Sequence, residues 1–362
     1  MRPDAQSILI RGREVSARAP LFIVAEIGVN QGESVDQALA LVQAAAETGA
    51  DAITLQTIDA AQLASPVALT PGLAPDGAAI DFFARYQLDE PAYTKVVEGA
   101  RQHGVRVLAT PCSIDGVDLL ERVGVDAFKI ASGDLTWDQL IVRAARTGKP
   151  VVIATGMATV DEIAHAVDTA RGAGARSIAL LHAVSAHPVP PGSENLLAIR
   201  TLAEHFRMPV GLADHAEDTF ALPMAMALGA AIYERRLVLP EDLHSADLAV
   251  SSLPDELSDA INRARRARAA LGTGEKVCLD VEMMNRHVHR RALCAASDLE
   301  PGMVLRRMDL VALRPANGVP PSRIDEIAGR RLMRPVDLGQ PVREQDLAPR
   351  EANDISRRPH AS

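Results

Sequence analysis

The chain has 362 residues, 48% of them apolar and only 3% aromatic, and its 38 Lys+Arg against 47 Asp+Glu give a formal net charge of -9. That balance supplies no basic footprint for a phosphate backbone and few rings for base stacking, which excludes nucleic acid as the expected partner. Cys112, Cys278 and Cys294 lie far apart without metal-ligand spacing, and neither an apolar leader nor a membrane-length run is seen, so a soluble cytoplasmic protein with reduced thiols is expected.

At this length a large domain plus a small one is the default. After a short N-terminal β extension, β-rich apolar runs recur at 21–25, 51–56, 105–110, 126–131, 150–155, 177–182, 209–213 and 229–234. Between them, apolar residues at three- and four-residue intervals predict helices over 35–48, 92–103, 116–123, 138–147, 160–172, 195–206 and 217–228. An amphipathic stretch at 253–272 completes the series, and Gly-containing turns such as ETGADAI and RVGVDAF separate helix from strand. Eight alternating units predict a parallel α/β fold closed as a (β/α)8 TIM barrel over 1–272. The one long connection, 57–91, is expected to shape the site or a subunit contact. A linker over 273–290 leads to short strand-like runs punctuated by Pro and Gly, which predict a small β cap domain at 291–349. The tail 350–362 is too polar to pack and is expected to be disordered.

In such a barrel the chemistry gathers at the carboxyl ends of the strands. Strand one ends in Glu26 with Asn30 beyond it, strand two in Gln56 and strand three in Thr110, while strand four carries Lys129, Ser132 and Asp134. Strand six ends in His182 with Ser185 and His187 following, strand seven in Asp214 and His215, and strand eight in Glu234, Arg235 and Arg236. Glu26 follows four apolar residues, where a carboxylate is costly unless paired or functional. Lys129, inside AFKIASG, needs an anion to stay charged. His215 taken alone reads as a hydrogen-bonded core histidine, and His182 and Ser185 read equally as interior groups or site groups. Strand alternation sends one of Arg235 and Arg236 inward, where it needs an anion. Cys112 has no adjacent base and reads as a small apolar residue.

The segments FIVAEIGVNQG, GADAITLQT, VLATPCSIDGVDLLE, VDAFKIASGDLT, GKPVVIATGMATVDEI, LLHAVSAHPVPP, PVGLADHAEDTFALPMAMALGAAIYERR and RPANGVPPSRIDEIAGRR run collinearly from about residue 8 to residue 349. Together they resemble the sialic acid synthase (N-acetylneuraminate synthase) family. The resemblance implies a TIM barrel followed by an antifreeze-like (SAF) domain, arranged as a domain-swapped homodimer in which the small domain caps the partner's barrel. It also implies a carbon-carbon bond-forming transferase of carbohydrate biosynthesis, joining phosphoenolpyruvate to an N-acyl-mannosamine-type aldehyde and releasing phosphate. In that family a divalent manganese or magnesium ion held by two histidines polarises the aldehyde.

Carried over by position, Glu26 matches the catalytic carboxylate, Lys129, Thr110 and Ser132 the phosphoenolpyruvate contacts, and His215 one metal ligand. Gln56, Asp134 and Asp247 match sugar contacts, Asn30 and Ser185 join the expected substrate-binding set, and Arg314 matches the cap arginine that reaches the partner's sugar. The departures fall on the same functions. The family's second metal histidine is Arg236, its strand-two Lys is Thr54, and two of its Ser positions are Ala154 and Ala213. Its Asn-His-Asn is Asn30, Gln31 and Gly32, its Tyr-Pro is His187 and Pro188, and the His after Asp247 is Leu248. Losing one charge-assisted phosphate contact costs about 1.5–3 kcal/mol, so the changes alter the chemistry of the site.

Two readings follow. In one, Arg236 is a fixed cation in place of the metal, giving a metal-free condensation of phosphoenolpyruvate or a related 2-keto-acid precursor, with Glu26, Lys129, His215 and Arg236 as the catalytic set. In the other, the barrel serves different acid/base chemistry on another carboxylated substrate, or binding alone. Both require those four side chains to share one pocket.

Overall fold

The computed structural model describes residues 7–32, 34–63, 69–70, 74–240, 242 and 245–349. Eight parallel strands pair in chain order: β1 (Phe22–Glu26), β2 (Ala52–Gln56), β3 (Arg106–Thr110), β4 (Ala127–Ile130), β5 (Val151–Ala154), β6 (Ile178–Ala183), β7 (Val210–Asp214) and β8 (Ile232–Leu237). β8 pairs with both β7 and β1, so the sheet closes on itself and leaves no open edge.

Alternation along each strand divides the core. Inward positions such as Phe22, Val24, Ala52, Leu108, Val152, Leu181 and Ile232 form one buried cluster. Outward positions such as Ile23, Ile53, Val107, Phe128, Ile153 and Leu180 join the helices in a second, larger one. Ile8, Ile10 and Val15, from the antiparallel hairpin Ile8–Ile10 with Arg13–Val15, belong to the inner cluster, so this hairpin plugs the amino-terminal end of the cylinder.

The outer helices are α1 (Val35–Thr48), α2 (Glu90–Gln102), α3 (Ile114–Val123), α4 (Asp138–Arg146), α5 (Val160–Gly172), α6 (Leu197–Phe206), α7 (Ala221–Ala227) and α8 (Pro254–Leu271). Their starts follow from capping chemistry. The Ser34, Asp89 and Ser113 side chains accept from backbone N–H groups of the first turns of α1, α2 and α3, and Thr159 with Glu162 forms a reciprocal capping box on α5. Gly49, at φ 82°, ends α1 in the left-handed region that glycine enters without strain.

Two barrel elements differ from the sequence expectation by three residues or more. β8 lies three residues further on than 229–234, because Gly229, Ala230 and Ala231 form the turn after α7 and the charged Glu234-Arg235-Arg236 run is itself strand. α7 is shorter than 217–228, beginning only at Ala221. The long connection 57–91 contains the helices Ala60–Leu63 and Ala79–Ala84 and a short antiparallel pair, Leu69–Thr70 with Ala74–Ala78. The tail 350–362 lies outside the described residues.

Contacts divide the chain into two compact units, Met1–Thr273 and Gly274–Ser362. The second begins with a helix, Met283–His289, and continues into an antiparallel pair, Ala292–Ala295 with Leu310–Leu313. Isolated bridges such as Leu299 to Val336 and Leu332 to Leu347 close it around a core of its own that includes Leu293, Leu305, Val319 and Ile327. Among the described residues no helix is long and apolar enough to cross a membrane.

Gly211 on β7 faces the cylinder interior, where an added Cβ would stand 2.4 Å from the Ile232 carbonyl oxygen and 2.8 Å from Leu181 Cδ2. Gly211→Ala is expected to lower the free energy of unfolding by about 1–3 kcal/mol, measured in urea, because the neighbouring strand backbone cannot yield without disturbing the barrel. An unchanged midpoint would contradict this packing.

Candidate active site

The register of the barrel sets the site. Glu26 on β1 is paired with Arg236 on β8 on one side and with Thr54 on β2 on the other, and Glu234 faces inward two residues before Arg236. Lys129 projects into the same space from β4. Its ammonium lies 3.5 Å from Glu26 Oε1 and forms a closer ion pair with Glu234 Oε1. The Thr54 hydroxyl donates to Glu234 Oε2 at 2.9 Å. Arg236 Nε lies 3.5 Å from Glu26 Oε2, an ionic contact too long for a good hydrogen bond, and another guanidinium nitrogen pairs closely with Asp247. Thr54, Glu234, Lys129, Glu26, Arg236 and Asp247 thus form an unbroken polar row across the carboxyl end of the barrel.

Burial and partners decide the charge states. Burial alone would raise the Glu26 carboxyl, but Lys129 and Arg236 outweigh it and hold it down at about 2. Burial works against the Lys129 ammonium, and Glu234 and Glu26 more than offset it, so Lys129 stays protonated. For Glu234 burial prevails over the attraction of Lys129, and its carboxyl is raised. Burial, then Arg236, lowers His215 to about 3 and also lowers His187, so both imidazoles are neutral near pH 7. His215 Nδ1 lies 3.3 Å from the Val184 carbonyl oxygen, which can only accept, so the proton sits on Nδ1 and Nε2 presents its lone pair.

A cavity of about 240 Å³ collects these groups. Glu26, Lys129, His215 and Arg236, the four expected catalytic side chains, all line it, as do Gln56, Thr110, Ser132 and Ser185. The Thr110 hydroxyl is buried without a hydrogen-bond partner, as a group awaiting a ligand would be. The Gly156 N–H donates to Ser132 Oγ at 3.0 Å. A Cβ on Gly156 would fall 2.2 Å from Ser185 Oγ and 2.8 Å from Ser132 Oγ, so the glycine is what lets two hydroxyls converge beside the cavity.

The remaining expected residues stand elsewhere. Asn30 spends its amide inside the protein, donating to the Leu237 carbonyl at 2.7 Å and to Ser251 Oγ at 3.0 Å and accepting from Ser245. Asp134 is half-buried after β4, does not line the cavity, and is raised by burial to about 6. Asp247 meets the site through Arg236, and Arg314 belongs to the second unit.

Strand alternation alone does not reveal that Arg235, the outward arginine of β8, is fully buried while Arg236 is half-buried. Arg235 points to the helix side, where it reaches the Ala216 and Glu217 carbonyls, donates to Ser252 Oγ at 3.0 Å and stands 3.9 Å from Asp214 Oδ1. The parts played by Glu234 and Thr54 also escaped sequence reasoning. The two-residue spacing of Glu234 and Arg236 puts both on one face, but the pairing with β1 and β2 is not written locally.

The site residues do not fit a two-histidine metal centre. His215 offers one oriented nitrogen, His187 packs against it ring to ring at 4.4 Å, and the Arg236 guanidinium already engages Glu26 and Asp247, the carboxylates that would attract a divalent ion. Among the described residues no group of three His, Cys, Asp or Glu is arranged to hold a metal.

The sequence pattern of the NeuB family matches residues 41–276, and that of the SAF domain matches residues 290–348. An uncharacterized protein of Methanocaldococcus jannaschii is 33% identical over 327 residues, covering 90% of this chain and 94% of its own length. The N,N'-diacetyllegionaminic acid synthase of Legionella pneumophila is 32% identical, covering 88% of this chain and 92% of its own. The solved N-acetylneuraminic acid (sialic acid) synthetase of Leptospira borgpetersenii superposes with a TM-score of 0.70 at 27% identity, over 78% of this chain and 95% of that one.

The two arginines should separate in a stability measurement. Arg235→Met removes the counter-charge of buried Asp214, which keeps only the Tyr233 hydroxyl and the Ala216 N–H, and takes the donor from two carbonyls, so it is expected to cost about 3–5 kcal/mol in chemical denaturation. Arg236→Met, at the edge of the cavity, should cost clearly less, and equal losses would contradict the division of roles.

Proposed function

The chain belongs to the NeuB family, and from that membership and its site we propose that it is a carbon-carbon bond-forming sugar-acid synthase. The proposed reaction joins phosphoenolpyruvate, or a related 2-keto-acid precursor, to an aldehyde sugar of the N-acyl-hexosamine class, giving a 2-keto sugar acid. The names of the relatives support the product class. The observation that carries the reading is the gathering of Glu26, Lys129 and Arg236 in one cavity beside the Thr110, Ser132 and Ser185 hydroxyls.

With phosphoenolpyruvate as donor, its C3 attacks the aldehyde carbon, the aldehyde oxygen takes a proton, water adds at C2, and the C2–O bond breaks to release phosphate and leave the keto group. In this scheme Lys129 and the hydroxyls hold the donor's anionic groups. Arg236 directs N–H groups at the aldehyde oxygen as its charge develops, the task that the resemblance gives to a metal. Glu26, kept ionised at neutral pH, faces the positive charge that develops at C2. His215 Nε2, a neutral acceptor, orients a substrate hydroxyl or the attacking water. Asp247 fixes Arg236, Gln56 reads the sugar's hydroxyls, and Arg314 reaches it from the SAF domain of a partner protomer in a domain-swapped dimer. The reading places the enzyme in the cytoplasm.

A second reading, other acid/base chemistry on a carboxylated substrate or binding alone, is favoured by one observation. Thr54, Ala154 and Ala213 stand where a cation and two hydroxyls are implied, and the row engages its own charges.

The protein incubated with phosphoenolpyruvate, N-acetylmannosamine and a chelator is expected to release phosphate, at a rate unchanged by manganese. Arg236→Ala should lower kcat about 100-fold. Absence of phosphate release with every aldehyde of the class would overturn the condensation, and strict dependence on added metal would overturn the part given to Arg236.

A further inference from the structure

The scheme above leaves Glu234 without a task, although its side chain is the most buried of the ionic row. It faces inward from β8. The charged groups around it are Lys129 from β4, Glu26 from β1 and Arg236 from its own strand, and β2 contributes the Thr54 hydroxyl. On β7 its paired neighbour is Ala213, which adds no polar side chain.

Two of these contacts are specific. Thr54 donates to one carboxylate oxygen of Glu234, and Lys129 pairs with the other more closely than with Glu26. The ammonium expected to receive the donor is therefore already engaged by an internal carboxylate. Arg236 is engaged in the same way by Glu26 and Asp247. With every group ionised, Glu26, Glu234 and Asp247 set three negative charges against the two positive charges of Lys129 and Arg236, a net charge of -1. A phosphorylated acid arriving at Lys129 brings more negative charge to a row that is already net negative.

We propose that Glu234 is a specificity-determining residue that competes with the incoming anion for the Lys129 ammonium, and that Thr54 is the lock that holds it there. The proposal rests on the reading that an anionic acid binds at Lys129. Burial raises the Glu234 carboxyl while Glu26 is held down, so of the two carboxylates on Lys129 it is Glu234 that is placed to take a proton as the anion arrives. Thr54 acquires a meaning too. A lysine at that position would pair with Glu234 itself and leave Lys129 free, whereas a threonine anchors Glu234 and adds no charge.

The test is calorimetric binding of inorganic phosphate and of phosphoenolpyruvate to the full chain, comparing the wild type with Glu234→Gln and Thr54→Val. Glutamine keeps the acceptor for Thr54, and Lys129 keeps Glu26, so the fold is expected to persist and is checked by thermal unfolding. Glu234→Gln should tighten phosphate binding about tenfold, the effect of freeing interaction worth about one pKa unit at Lys129. Thr54→Val should tighten it by a smaller factor. Proton uptake on binding, read from the difference between two buffers, should be present in the wild type and lost in Glu234→Gln. Equal or weaker binding by a folded Glu234→Gln overturns the proposal, and if that variant does not fold, equal or weaker binding by Thr54→Val does so. Phosphate release by the wild type is scored separately. Its absence sinks the condensation while the anion comparison still decides the role of Glu234.

Discussion

A lysine inside a closed barrel stays charged only if carboxylates stay with it, and the ammonium of Lys129, held between Glu234 and Glu26, is the interaction on which this site is built. The three residues come from β4, β8 and β1, so the ion pairs exist only when the sheet has closed in one register. A slip of one residue in β8 would turn Glu234 and Arg236 toward the helices and bring Arg235 inward. Closure and site assembly are thus one requirement.

The rest of the mouth follows from that arrangement. Glu26 turns one oxygen to Lys129 and the other to Arg236, and Arg236 in turn holds Asp247. The guanidinium gives the carboxylates a permanent counter-charge that needs no exogenous ion, which weakens the electrostatic pull on a divalent cation beside His215. The inner wall near Ser132 is shaped by an absence of bulk. Gly156 leaves room where two hydroxyls and a backbone N–H converge, and Ala154 and Ala213 line the same cavity.

The sequence was most legible where local chemistry sets structure. α1 and α5 begin and end where periodicity places them, because Ser34 and the Thr159–Glu162 box fix their starts. It was least legible where a chain segment reads the same in two states. Gly229-Ala230-Ala231 resembles the apolar start of a strand and is a turn, which displaces β8 by three residues. The gathering of Glu26, Lys129, His215 and Arg236 was accessible, since a barrel collects polar strand ends at one mouth. Their partners were not. Asn30 bonds to Leu237 and Ser251, 207 and 221 residues away, and no local pattern announces that its amide serves the frame. Arg235 is the same kind of case, because the helix side of a barrel strand is as dry as its interior.

Lys129 and Glu234 act as one unit on which the mouth of the barrel depends. A double-mutant cycle measures this directly, using Lys129→Met, Glu234→Gln and the combined variant in urea unfolding. The account predicts a coupling energy of about 1 kcal/mol or more, with the double variant less destabilised than the sum of the single ones. Strict additivity would mean that the two side chains stand side by side without depending on each other, and the account of the site would fail with them.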